Sequence, residues 1–342
     1  MDESAYGSRD RRGHYTPDRL VRTGPLFELP FRPRVVARWL FGWGGYLWPY
    51  NLFYALVGIG VWLWLTPPME RMRDFEAGWI AFIWLRNAGL ILLWFGAFHL
   101  RLYVQRAQGT RFKYNPNWPS TDNDAFLFRD QTVDNMIWAF GSGVTIWTAY
   151  EAVTWWLFAN GYVPWVSWAG HPVYIVAFML LIPLFREVHF YLVHRLIHVP
   201  VLYRYVHSLH HNNVNPGPWS GLSMHPVEHL LYFSGVALHW IVPSHPVHAM
   251  FHLVHLAMSP APGHTGFEKV VAGEDSALDT HCFAHYLHHK YFEVNYADGG
   301  VPLDRWFGTF HDGSREAEER MNARFKARNA KRRAKAAKAA PS

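Results

Sequence analysis

The chain has 342 residues, 50% of them hydrophobic and 17% aromatic with 18 Trp, an apolar surplus that argues against a pair of ordinary soluble domains and for a bilayer as solvent. The formal charge of +6 comes from Lys and Arg gathered at the two ends and beside apolar runs, which is no footprint of a nucleic-acid partner. The lone Cys282 excludes an internal disulfide and a thiolate metal cage, so any metal must be held by other donors, and 22 His are at hand.

Residues 1–33 are polar and rich in Arg, Gly and Pro with no apolar core after the early charges; a loose cytoplasmic arm without a cleavable signal peptide is expected. Tyr46 to Leu65 is almost uninterruptedly apolar and stops at Pro67-Pro68, about the 20 residues a helix needs to cross a bilayer. Trp79 to Leu100 predicts a second span, with Arg86 near one end expected to snorkel to the interface. Met136 to Phe158 predicts a third, with Glu151 embedded as a functional group or as a partner for Arg86. Residues 34–172 thus hold three spans and their loops. A fourth, Tyr174 to Phe190, opens the segment 173–312 that carries the chemistry, and 313–342 is a basic tail suited to anionic lipid.

Orientation follows from the basic residues of the short loops. Arg32, Arg34 and Arg38 precede the first span and Arg101, Arg106, Arg111 and Lys113 follow the second, whereas 160–172 has neither Lys nor Arg. The positive-inside rule then puts both termini, and the end of the fourth span, on the cytoplasmic side. Leu230 to Val242 and Met250 to Met258, interrupted by Pro243 and Pro246, are short for full crossings and predict a hairpin dipping into the cytoplasmic leaflet. The predicted fold is all-α: a multi-pass integral membrane protein with about four transmembrane helices and a cytoplasmic helical cap holding a polyhistidine dimetal site. Its place is the bacterial inner membrane, or the endoplasmic reticulum in a eukaryote.

The fourth span runs into REVHFYLVHRLIHVPVLYRYVHSLHH, residues 186–211, which holds six histidines; HCFAHYLHH follows at 281–289. His194 and His198 lie a helical turn apart, and His207, His210 and His211 form a triplet repeated as His285, His288 and His289. Neutral imidazoles at one-turn spacing suit a metal. One structural zinc takes four ligands and a catalytic zinc about three, so eight clustered histidines imply two ions. Iron accepts imidazole and changes oxidation state, which zinc does not.

HRLIH at 194–198, HSLHH at 207–211 and HYLHH at 285–289 resemble, in this order, the three histidine boxes of the fatty acid hydroxylase and sterol desaturase superfamily. Glu187, Phe190 and Tyr191 ahead of the first box, HPVE at 225–228, GHTGFE at 263–268, Asn295-Tyr296 and the DRWFGT segment at 304–309 resemble the motifs that surround those boxes. The resemblance covers roughly 174–312. It implies a membrane oxygenase with two Fe ions that uses O2 and two external electrons to hydroxylate or desaturate a membrane lipid, a sterol or fatty acyl lipid. It carries metal-ligand positions onto His194, His198, His207, His210, His211, His285, His288 and His289, with His264 as a ninth and His225 and His229 as further candidates. Glu187, Glu228, Glu268 and Asp279 are candidates to hold a ligand's second N–H, with Arg195 paired to one of them. Neither a haem-attachment motif nor a dinucleotide loop is present, so the electrons are expected from a separate ferredoxin or cytochrome b5-like protein with its reductase.

Two other classes compete. HPVEH at 225–229 fits the H-x-x-E-H zinc hydrolase pattern with Glu228 as base. A metal transporter or sensor would instead need ionisable groups at the middle of its spans, whereas these histidines crowd at one membrane face. His239, His245, His248, His252 and His255 are expected to be core rings with satisfied hydrogen bonds, or to line a lipid path. His189 and His281 stand one turn or so from the boxes and are expected to stay off the metal.

Overall fold

A computed structural model describes residues 1–339. The chain is mostly helical, with two short antiparallel hairpins as its only strands among the described residues: β1 (Gly7–Arg9) with β2 (Tyr15–Pro17), and β3 (Lys269–Val271) with β4 (Ala277–Asp279). The helices that frame the molecule are α1 (Pro33–Phe41), α2 (Leu52–Trp64), α3 (Ala77–His99), α4 (Gln131–Trp138), α5 (Thr145–Ala159) and α6 (Pro172–Ile197). After them come α7 (Pro226–Phe233), α8 (Pro246–Met258), α9 (Phe283–Tyr291) and α10 (Arg315–Ala339). The expected basic tail is largely this last helix; residues 340–342 lie outside the described residues.

Among the described residues two helices are long and apolar enough to cross a membrane: α3 with its wider-wound last turn, Ala77–Val104, and α6, Pro172–Ile197. The other two expected spans are interrupted. The first begins with a turn of π-helix, Leu47–Asn51, kinked at Trp48, so α2 proper has 13 residues. The third divides into α4 and α5 at a π-turn, Ala139–Val144, where Gly141, Ser142 and Gly143 favour a local distortion over straight helix. Proline fixes the helix starts: Pro33, Pro172, Pro226 and Pro246 each sit in the first turn, where the missing N–H costs nothing. Val199-Pro200 ends α6 one residue after His198.

At the centre lies α8. All 13 of its residues are buried, packed by α2, α6, α5 and α3. Apolar burial of Met250, Phe251, Leu253, Val254 and Leu256 contributes about 1.5–3 kcal/mol for each large side chain. Gly58 of α2 lets the two backbones approach, since a Cβ there would stand 2.9 Å from Phe251 Cα. The second half of the expected leaflet-dipping hairpin is therefore the protein's own core. Most of its residues are apolar, which suits burial among helices as well as in lipid, and its stripe of His248, His252 and His255 finds polar partners inside the protein.

Two further expectations are corrected. The N-terminal arm is folded, not loose: its hairpin buries Tyr15, whose backbone N–H donates to Tyr114 O at 2.9 Å, and Gly24 N–H reaches Gly299 O at 2.7 Å. Arg86 does not snorkel. Its guanidinium is buried against Glu151 at 2.5 Å, while Asn87 and the Trp155 indole donate to the same carboxylate at 3.0 and 2.8 Å. A buried charge in apolar surroundings persists only when it is paired and hydrogen-bonded in this way.

Candidate metal centre

The histidines are delivered by the ends of elements. His194 occupies the last turn of α6 and His198 caps it. The chain reverses after Pro200, and a π-turn, Tyr203–His207, followed by a helical turn, Ser208–His211, presents His207, His210 and His211. A short turn, Pro260–Gly263, leads from α8 to His264, and α9 carries His285, His288 and His289.

These nine side chains form two groups whose nitrogens converge, one of His194, His198, His207, His211 and His288, the other of His210, His264, His285 and His289. In the first, the Nε2 atoms of His198, His211 and His288 make a triangle with edges of 3.1 to 3.2 Å. In the second, His285 Nε2 lies 2.9 Å from His264 Nε2 and 3.1 Å from His289 Nε2, and His264 Nε2 lies 3.4 Å from His210 Nε2. Neighbours in sequence part company. His210 and His211, and likewise His288 and His289, point about 100° apart on a helix and so join different groups.

Main-chain carbonyls decide which nitrogen faces inward. A carbonyl only accepts, so the Nδ1 atoms of His194, His210, His264 and His288 must be N–H donors to Tyr296 O, Ser223 O, Pro260 O and Val294 O, at 2.8, 3.2, 2.9 and 2.7 Å. Their Nε2 atoms then carry lone pairs, and those of His210 and His264 face each other at 3.4 Å with no proton to share. His207 Nε2 is buried without a partner while its Nδ1 is held 2.8 Å from Glu228 Oε1. Two imidazole nitrogens about 2.1 Å from one shared ion stand roughly 3.0–3.4 Å apart, so the donor set fits a pair of metal ions, five nitrogens around one and four around the other. Burial, reinforced by neighbouring imidazoles, pushes the pKa of His207, His210, His211, His285, His288 and His289 well below the ordinary value, and His264 down to about 4. All are therefore neutral and free to donate at neutral pH.

The flanking candidates fare differently. Of the four carboxylates only Glu228 meets a cluster histidine. Glu187 accepts the backbone N–H of Gly299 at 2.7 Å and of Val301 at 3.1 Å, fixing the loop after Tyr296. Glu268 accepts the Tyr114 hydroxyl, and Asp279 pairs with Lys269 and Arg19. Arg195 pairs with none of them; it is exposed, and its guanidinium lies over the Tyr296 ring, 4.8 Å from the centroid. His225 spends Nδ1 on Val227 N–H as the cap of α7, and His229 Nδ1 meets Ser142 Oγ at 2.9 Å; neither joins a metal-capable group among the described residues, which leaves the zinc reading of HPVEH without support.

The core histidines find partners: His239 with Ser244 and His252, His248 with Ile175 O, His255 with Asn51, and His245 with Val247 N–H as the cap of α8. His189 meets Ser234, and His281 packs on Tyr50. Tyr296 had no role assigned from its motif, yet its ring contacts His194, His198 and His288 with centroids 5.4, 4.8 and 5.2 Å apart.

Comparison with known proteins agrees with this architecture. Residues 178–309 match the family model described as fatty acid hydroxylase. A Delta(7)-sterol 5(6)-desaturase of Gibberella zeae is 31% identical over 42% of this chain and 43% of its own length. The Delta(7)-sterol-C5(6)-desaturase of Nicotiana tabacum is 23% identical over 70% of this chain and 86% of its own. Methylsterol monooxygenase 1 of Gallus gallus is 28% identical over 41% of this chain and 48% of its own. The first relatives are thus matched over about half their length, 43% and 51%. No solved structure matches significantly. Histidine boxes in order, the family model matched over residues 178–309 and these relatives make this part of the chain similar to the fatty acid hydroxylases and sterol desaturases.

Proposed function

We propose that the protein is a membrane-bound di-iron oxygenase that uses O2 and two electrons to hydroxylate or desaturate a C–H bond of a lipid, of the sterol or fatty acyl class. The observation that carries this is the pair of histidine groups with inward lone pairs. His194, His198, His207, His211 and His288 would hold one iron, and His210, His264, His285 and His289 the other. When bound, the iron pair supplies the redox chemistry that activates O2, which closed-shell zinc cannot. The chain's own part is to aim the rings through carbonyls and Glu228, to keep every imidazole neutral by burial, and to exclude bulk water from the cluster. Relatives that desaturate or oxygenate sterols support a sterol-like substrate.

The same reading includes four membrane crossings, built on α2 with its leading turn, α3, the α4–α5 pair and α6, and a cytoplasmic cap formed by the chain from His198 onward. The expected boundaries at 34, 173 and 313 go with it. Electrons come from a separate ferredoxin or cytochrome b5-like protein and its reductase. The test is metal analysis of purified full-length protein together with lipid profiling of cells with and without the gene. About two irons per chain and a lipid differing by one oxygen or two hydrogens are expected; about one zinc and no lipid change would overturn the proposal.

A further inference from the structure

Beside the cluster lies a cavity of about 390 Å³ whose walls include Arg195, Tyr296, Thr309, His311, Arg320 and Arg324. Its charge is one-sided. Glu293 is the carboxylate in the wall, and it is already held by Arg324 at 3.0 Å and by Arg328. Arg195 and Arg320 have no carboxylate partner among the described residues, and both are exposed. Arg320 and Arg324 stand one turn apart on α10, so the helix presents them to the cavity together, with buried Ala317 and Met321 anchoring that face.

The floor of the cavity is what separates this from an ordinary anion site. Tyr296 lines it on one side and touches three rings of the five-histidine group on the other. The carbonyls that aim His194 and His288 belong to Tyr296 and Val294, and Val294 also lines the cavity. One aromatic side chain and one stretch of backbone therefore divide the arginines from the cluster. Anionic lipid or free phosphate would account for the arginines alone, not for their placement over this bridge.

We propose that this cavity is the docking site for an acidic one-electron carrier protein, with Arg195, Arg320 and Arg324 as the recognition charges; the proposal rests on the oxygenase reading. Each docking oxidises the carrier's reduced centre by one electron and delivers that electron to the cluster. Two dockings serve one turnover, R–H + O2 + 2 e⁻ + 2 H⁺ giving R–OH + H2O, or the alkene and two H2O. Charge pairing of this kind sets encounter rate and register, and weakens with salt.

The experiment uses the full chain, iron-loaded, in nanodiscs of zwitterionic lipid, with two acidic probes, a plant-type ferredoxin and the soluble domain of cytochrome b5. At least one should bind with an affinity that falls as salt rises. Arg320→Glu, which breaks no pair in the fold, and Arg320→Ala/Arg324→Ala should each weaken that binding at least tenfold, while turnover driven by dithionite stays at the wild-type level. Binding of both probes indifferent to these substitutions would overturn the proposal. So would arginine-dependent binding confined to vesicles with anionic lipid, which would assign the site to a headgroup. Arginine-dependent carrier binding with no oxygenated or desaturated lipid under any reductant would sink the oxygenase reading and leave the docking site standing.

Discussion

His210 and His264 point bare Nε2 lone pairs at each other across 3.4 Å, each with its Nδ1–H already given to a backbone carbonyl. While both rings are neutral no proton lies between these two nitrogens, and a metal ion bound by both satisfies them together without the cost of charging a buried imidazole. Fe(II), or Co(II) as a spectroscopic stand-in, should raise the thermal midpoint of metal-free protein. At a hundredfold excess over Kd the gain is about 2.7 kcal/mol. Scanning calorimetry with and without metal reads it, and an unchanged midpoint would refute the site.

The split into two groups makes a sharper claim. His288→Ala removes a donor from the five-membered group and His289→Ala from the four-membered one. Each variant should retain about one metal per chain where the wild type holds about two, and both should lose turnover. Loss of both metals from either variant would mean that the groups do not bind independently.

Glu228 is the one acidic side chain that holds a cluster histidine. Glu228→Ala should lower metal affinity or turnover by roughly 10–100-fold, with Glu228→Gln, which still offers an acceptor, in between. Glu187→Ala, which loosens a loop and touches no histidine, should act on thermal stability first. Equal metal affinity in Glu228→Ala and wild type would count against the assignment.

Acid should unfold the metal-free protein by way of these rings. Their folded pKa values are depressed below about 6.5, the value they regain on unfolding, so below that pH the unfolded chain binds more protons than the native one. Stability is fully present above about pH 6.5 and falls as pH drops. Protons also compete with metal, which steepens the loss in the loaded protein. Thermal midpoints between pH 8 and pH 5 check the sign.

Arg86 and Glu151 form a buried pair. Glu151→Leu leaves the guanidinium uncompensated and should cost about 3–5 kcal/mol, whereas Arg86→Met/Glu151→Leu should recover much of it. Denaturation in detergent distinguishes the two; equal loss in both would mean that the carboxylate acts through Asn87 and Trp155 instead.

Eight of the nine metal-capable histidines were legible because one-turn spacing is a local property; His264 came only from the resemblance of its GHTGFE segment, and box order carries that resemblance. The grouping was not. It depends on where α6, α9 and the turn before His264 meet, and adjacent residues such as His288 and His289 diverge by a helical rotation that spacing alone reads as one face. The partners of the rings were hidden too, since Ser223, Pro260, Val294 and Tyr296 contribute carbonyls, which every residue has. Arg195 shares the first box with His194 yet points the other way. The buried Arg86–Glu151 pair was half visible, as two charges in apolar runs whose meeting required the packing of α3 on α5. The second half of the expected lipid-dipping hairpin is the core helix α8, because an apolar run does not say whether protein or lipid covers it.

Aiming by carbonyls has an evolutionary corollary. Four of the nine rings are oriented by atoms that substitution cannot remove, so residues 223, 260, 294 and 296 can drift in identity while the chain's course preserves their oxygens. A relative that shares about a quarter of its aligned residues with this chain can thus keep the same arrangement of donors, and divergence is free to act on the surfaces that choose the substrate.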